Sequence, residues 1–116
     1  MGGSVTTIKE RAFESCTNLQ SITLPKSLKT IKEDAFYECE NLKEVHYDGD
    51  VYDWCNILFE NDYGNKDSSC SPLCYGAKLY INGEIITDLI IPNGVSEINE
   101  FAFNIKSIDF LLYFYN

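Results

Sequence analysis

Between Val5 and Tyr47 the chain writes one pattern twice. Ile8, Ala12, Phe13, Cys16, Leu19 and Ile22 are answered by Ile31, Ala35, Phe36, Cys39, Leu42 and Val45, and each pair is 23 residues apart. A fixed period of this length marks an architecture of short units stacked side by side, because a unit this small cannot bury its apolar face without a neighbour. The whole chain is therefore read as one stack, interrupted once.

The signals within a unit come in a fixed order. Ile22 and Leu24 alternate with Ser21 and Thr23 in the manner of a half-buried strand, and Leu19 points with the first pair. Pro25 then ends the strand, since it has no amide hydrogen to donate. Leu28 and Ile31 form a second apolar pair. From Lys32 to Cys39, the spacing of Ala35, Phe36 and Cys39 suits a single helical turn or a short 3₁₀ piece. Phe13 and Phe36 are expected to stack as a buried column.

After Tyr47 the pattern breaks, and it returns near residue 86. Asp88-Leu89-Ile90-Ile91-Pro92, with Val95, Ile98, Ala102 and Phe103, restates the segment from Ser21 to Phe36 at an offset of 67, two short of three periods. The stretch 48–85 is read as an insert. Val51, Trp54, Ile57 and Leu58 fall on a helical stripe, and 61–71 is a polar loop rich in turn formers. Asn82-Gly83 between Lys78–Ile81 and Glu84–Ile86 is the strongest hairpin signal in the chain, as both residues suit the positive backbone angles of a type I′ turn. Trp54, Tyr52 and Phe59 form either an aromatic binding patch or a plug over the core. Helical spacing favours the plug and leaves Tyr52 and Tyr63 as partner contacts. Near the end, Asn104 to Phe110 resembles Asn18 to Leu24 with the preceding turn shortened. Leu111 to Tyr115 has no polar cap, which makes this end a surface for self-association or for burial.

Eighteen acidic against nine basic side chains give a net charge of −9, which repels nucleic-acid phosphates and anionic membrane surfaces. No apolar run is long enough to insert in a membrane, and the first residues carry no signal-peptide pattern. Five cysteines leave at least one thiol unpaired, and Cys16 and Cys39 read as buried free thiols because equivalent side chains in a stack run parallel. Cys70 and Cys74, with Cys55 and His46, lack the second paired motif of a closed zinc site. Asp48, Asp50 and Asp53 lack the ligand order of an EF-hand, so neither metal nor cofactor is expected. The single histidine, His46, has no nucleophile placed beside it by spacing, and catalysis is not expected.

Asn41-Leu42-Lys43-Glu44-Val45, joined to the Leu24-Pro25, Leu28, Ile31 and Ala35-Phe36 pattern of the preceding unit, resembles the BspA-type leucine-rich repeat family. The likeness covers 5–47 and 86–110, and the block from Trp54 to Asp88 is similar to an insert of such arrays. One departure is that family units often carry Gly where Lys9, Lys32 and Asn99 stand. The resemblance implies a leucine-rich repeat solenoid with a parallel β-sheet on its concave face, short helical or 3₁₀ turns and a hairpin-containing insert. It implies one domain over 1–116, read as part of a longer array. It further implies a secreted or cell-surface bacterial protein that binds host, matrix or surface proteins in adhesion. If the inward residues are Leu19, Ile22 and Leu24, the outward columns are Ser21, Glu44, Asp88 and Ser107, and beside them Thr23, His46, Ile90 and Asp109. Of these, Ser21, Thr23, Glu44, His46, Asp88 and Ile90 are the candidate partner contacts, with Tyr52 and Tyr63. A spacer repeat that binds nothing, and an accessory domain of a hydrolase or metal-binding protein, are the alternatives.

Overall fold

The computed structural model describes residues 4–60, 71–95, 102 and 111–114, with 88–91 and 111–114 described by their backbone. Strands β1 (Thr7–Ile8), β3 (Thr30–Ile31) and β5 (Leu58–Phe59) make one parallel sheet. A second sheet holds β2 (Ser21–Leu24), β4 (Glu44–Tyr47) and β6 (Lys78–Ile81) in parallel, with β7 (Glu84–Ile85) antiparallel at its edge. Each unit thus contributes one strand to each sheet: β1 and β2, β3 and β4, β5 and β6. The register repeats the sequence period, Thr7 opposite Thr30 and Ser21 opposite Glu44. Because side chains alternate across a strand, Ile22, Leu24, Val45, Tyr47, Leu79 and Ile81 all face the core, which they share with Ile8, Ile31 and Phe59.

The segment from Lys32 to Cys39 is not a helix. It is a succession of tight turns in which Asp34 and Glu38 take left-handed φ of 56° and 62°, and Arg11 and Ser15 do the same one unit earlier at 59° and 58°. A left-handed residue every fourth position prevents the run of right-handed angles that a 3₁₀ helix needs. Backbone donors then alternate. Ala12, Glu14 and Cys16 donate within their own turn, to Lys9, Arg11 and Phe13, while Arg11, Phe13 and Ser15 donate across to Glu33, Ala35 and Tyr37 of the next unit. Stacking therefore satisfies amides that an isolated turn leaves open. Phe13 and Phe36 do stack, with centroids 5.2 Å apart. Phe36 is fully buried, and Phe13 is half-buried against it.

The expected insert carries the repeat through. Leu58–Phe59 pairs with Thr30–Ile31, and Lys78–Ile81 pairs with Glu44–Tyr47, so both ladders continue in parallel to Ile81. What is added lies in the connections. Helix α1 (Val51–Cys55) occupies the link from β4 to β5, and the longer stretch after Phe59 occupies the link from β5 to β6. The helical stripe stops at Ile57: Leu58 is 53% exposed, whereas Phe59 is buried, since a strand places consecutive residues on opposite faces. The hairpin is as the sequence predicts, with Asn82 and Gly83 at φ of 54° and 81°.

β8 (Asp88–Ile91) does not join this sheet; it pairs in parallel with β9 (Leu111–Phe114). Asp88 opposite Leu111 restores the 23-residue spacing. The strand equivalent to Ser21–Leu24 is thus 111–114, and the shortened turn expected before Asn104–Phe110 lies outside the described residues. Ile98, Phe103, Ser107 and Asp109 lie outside the described residues.

Candidate functional site

The outer side of the β2–β4–β6 sheet displays two rows of side chains. One row is Ser21, Glu44 and Lys78; the other is Thr23, His46 and Tyr80, and Ile85 follows Tyr80 across the antiparallel edge. The expected third members, Asp88 and Ile90, are displaced from these rows. The 23-residue count skips β6, and β7 holds the next place in the sheet, so Asp88 and Ile90 pair instead with Leu111 and Tyr113. Their side chains, and Tyr63, lie outside what is described. Tyr52 is on α1, 45% exposed, with its ring edge near Gly94.

Within the rows the centre is ordered. The imidazole of His46 stacks on the Tyr80 ring with centroids 4.6 Å apart and 12° between planes. Its Nε2 lies 2.9 Å from Glu44 Oε1, two residues back on the same face. Both contacts restrict the ring, so its conformational freedom is already reduced before any partner arrives. Around it are the exposed hydroxyls of Ser21 and Thr23, the Lys78 amine and the Ile85 side chain, which is 40% exposed. Such a face offers a partner hydrogen bonds, one charge of each sign and an aromatic edge. Lys78, Tyr80 and Ile85 were missed by counting periods. The signal available for them was the alternation Lys78-Leu79-Tyr80-Ile81 just before the turn.

Trp54 belongs to the core rather than to this face. It is fully buried, meets Tyr47 and Phe59 edge-on at 5.1 and 5.7 Å, and its Nε1 donates to the carbonyl of Ala102 at 2.9 Å. The plug reading holds, and Phe59 likewise is not part of a surface patch. Asp50 and Asp53 close the N-terminus of α1 as a reciprocal capping box, with Asp53 N donating to Asp50 Oδ1 at 2.8 Å and Asp50 N to Asp53 Oδ2 at 3.2 Å. That cap employs two of the three acidic residues weighed as calcium ligands. Tyr75 has a role no pattern announced: its hydroxyl accepts the Glu38 amide at 2.8 Å, in the place where Tyr37 O accepts from Ser15 one unit earlier.

Cys16, Cys39 and Cys55 are free thiols, and Cys70 lies outside the described residues. Cys39 donates to the Phe13 carbonyl at 2.8 Å, and burial pushes its thiol up. Burial, with Asp50 nearby, pushes Cys55 up to about 11. Both shifts favour the protonated thiol over the thiolate, the form that reacts. Among the described residues no group of three or more His, Cys, Asp or Glu side chains is arranged to hold a metal ion. Among them, too, no helix is long and apolar enough to cross a membrane.

A family model described as BspA type leucine rich repeat region matches residues 1–108, in six copies. No curated protein and no solved structure matches the chain. Repeats of this kind are generally non-enzymatic and generally serve protein interaction.

Proposed function

Because the chain belongs to the BspA-type leucine-rich repeat family, we propose that it is a non-catalytic protein-binding module whose contact surface is the outer side of the β2–β4–β6 sheet. In this reading the chain is one leucine-rich repeat solenoid domain over 1–116, that side of the sheet is its concave face, and the stretch after α1 adds contacts at the rim. The partner is a protein of a host, a matrix or a cell surface, and the module works in adhesion by a secreted or surface-attached bacterial protein.

The observation that carries the reading is the Glu44–His46–Tyr80 cluster, where an imidazole is both stacked and hydrogen-bonded on the outer side of the sheet. Ordered aromatic groups contribute most to interfaces, as little entropy is lost when they are covered. The test is retention of surface and matrix proteins on the immobilised chain, compared with a Glu44→Ala, His46→Ala, Tyr80→Ala variant of unchanged circular dichroism. A partner held by the parent and lost by the variant supports the face; a partner held equally by both removes it.

The spacer reading has one observation in its favour. Tyr52, Leu58 and Ile85, the large apolar side chains exposed among the described residues, sit on three different elements. Scattered apolar residues are ordinary surface. A folded chain that retains no partner supports the spacer.

A further inference from the structure

The chain's single histidine stands at the centre of the outer side of the β2–β4–β6 sheet. Glu44 precedes His46 along β4, and the exposed Asp48 follows at the strand's end. Opposite His46 are Thr23 on β2 and Tyr80 on β6, with Lys78 two residues before Tyr80. A carboxylate only accepts hydrogen bonds, so the 2.9 Å contact between His46 Nε2 and Glu44 Oε1 places the proton of the neutral ring on Nε2. Nδ1 is then an acceptor. It has no hydrogen-bond partner among the described residues, and it is not one of their buried unpartnered atoms, so it is open to solvent.

The open acceptor asks for a donor, and charge favours a cationic one. A net charge of −9 steers basic segments toward the chain and turns acidic ones away. Around His46 itself, Glu44 and Asp48 face one cation, Lys78, while Thr23 and Ile85 carry no charge. Histidine is the side chain that changes charge between about pH 8 and pH 5. A proton on Nδ1 turns the acceptor into a donor and adds a positive charge, so a cationic N–H bonded there meets a second donor and a like charge. Glu44 accepts from Nε2 in both states and Tyr80 stacks on the ring, so the chemistry of the site changes while the ring keeps its place.

Resting on the reading of this side of the sheet as the contact surface, we propose that its partner is a basic protein segment that donates an arginine or lysine N–H to His46 Nδ1, and that acidification releases it. Glu44 is the positioning residue, since it fixes which ring nitrogen accepts. Lys78 opposes such a partner, and its removal should tighten binding.

The test is an NMR titration of the full chain with a capped peptide of alternating glycine and arginine, and with its glutamate counterpart, at about pH 7.5 and about pH 5.5. The arginine peptide should shift the His46 and Tyr80 ring protons at the higher pH, and should bind at least about tenfold more weakly at the lower. His46→Gln should show no such step, because a carboxamide does not titrate, and Lys78→Ala should bind more tightly than the parent. Arginine-peptide shifts that miss His46 and Tyr80, tighter binding of the glutamate peptide, or a pH step that His46→Gln shows in full would each overturn the proposal. A protein partner lost by the Glu44, His46 and Tyr80 triple variant, yet held by the parent equally at both pH values, also overturns it while the contact surface stands. A partner that the triple variant holds as well as the parent removes the surface itself.

Discussion

The first two units and the third reach the same ladders by different lengths of chain. Strand β4 begins 23 residues after β2, but β6 begins 34 after β4, and β5 begins 28 after β3 where β3 begins 23 after β1. Of the 11 extra residues, 34 less 23, five fall in the link that contains α1 (28 less 23) and six in the link after Phe59 (34 less 28). Pairing fixes only the strands, so links can lengthen if they bring their own filling. The regular units fill the interior with Leu24, Leu28 and Ile31; the enlarged one fills it with Tyr47, Trp54 and Phe59 in edge-on contact. A stack of this kind keeps its sheets constant and varies what lies between them.

Removing the filling should break the third unit before the others. Trp54→Ala deletes a fully buried ring and the hydrogen bond to Ala102, and should cost about 3–5 kcal/mol in urea unfolding. Cys55 sharpens the contrast through pH. Its thiol titrates higher folded than unfolded, so the folded state holds its proton longer; stability is full below about pH 8.5 and declines as pH rises toward 11, by up to about 3 kcal/mol. Cys55→Ala should show a shallower alkaline decline, measured by denaturant melts at stepped pH. Gly49→Ala should cost about 1–3 kcal/mol, because the new methyl would sit 2.7 Å from the buried Tyr47 ring, and thermal melts would register it. Asp50→Ala opens the capping box and should cost about 1 kcal/mol, visible as faster amide exchange in the first turn of α1. Smallest, and in the regular part, Arg11→Gly should stabilise by up to about 1 kcal/mol, since glycine accepts the left-handed φ of 59° without strain and the Arg11–Glu14 pair it removes is exposed.

The regular units were legible because their period is written in large side chains. Ile8 and Ile31, Ile22 and Val45, Phe13 and Phe36 occupy equivalent places, and the strands, the proline stop and the hairpin follow from alternation and turn chemistry. The third unit was legible only in pieces. Its strands Leu58–Phe59 and Lys78–Ile81 are at irregular distances, so a count by period passed over them and set Asp88 and Ile90 in rows that Lys78 and Tyr80 occupy. The tight turns were misread as helical because Arg11, Ser15, Asp34 and Glu38 are not glycines, and nothing in a non-glycine residue announces a left-handed angle. For the candidate face, Ser21, Thr23, Glu44 and His46 were found from strand parity alone. The stack of His46 on Tyr80 needed the register between strands 34 residues apart.

That stack is also the place where the continuous face is most directly measured. In a proton NMR spectrum of the full chain, the His46 ring protons should be shifted upfield by the Tyr80 ring and show cross-peaks to it, and both effects should vanish in Tyr80→Ala. His46 ring protons at the positions of an unstructured peptide, or coupled through space to a residue of β8 instead, would mean that β6 does not extend the ladder and that the face ends at β4.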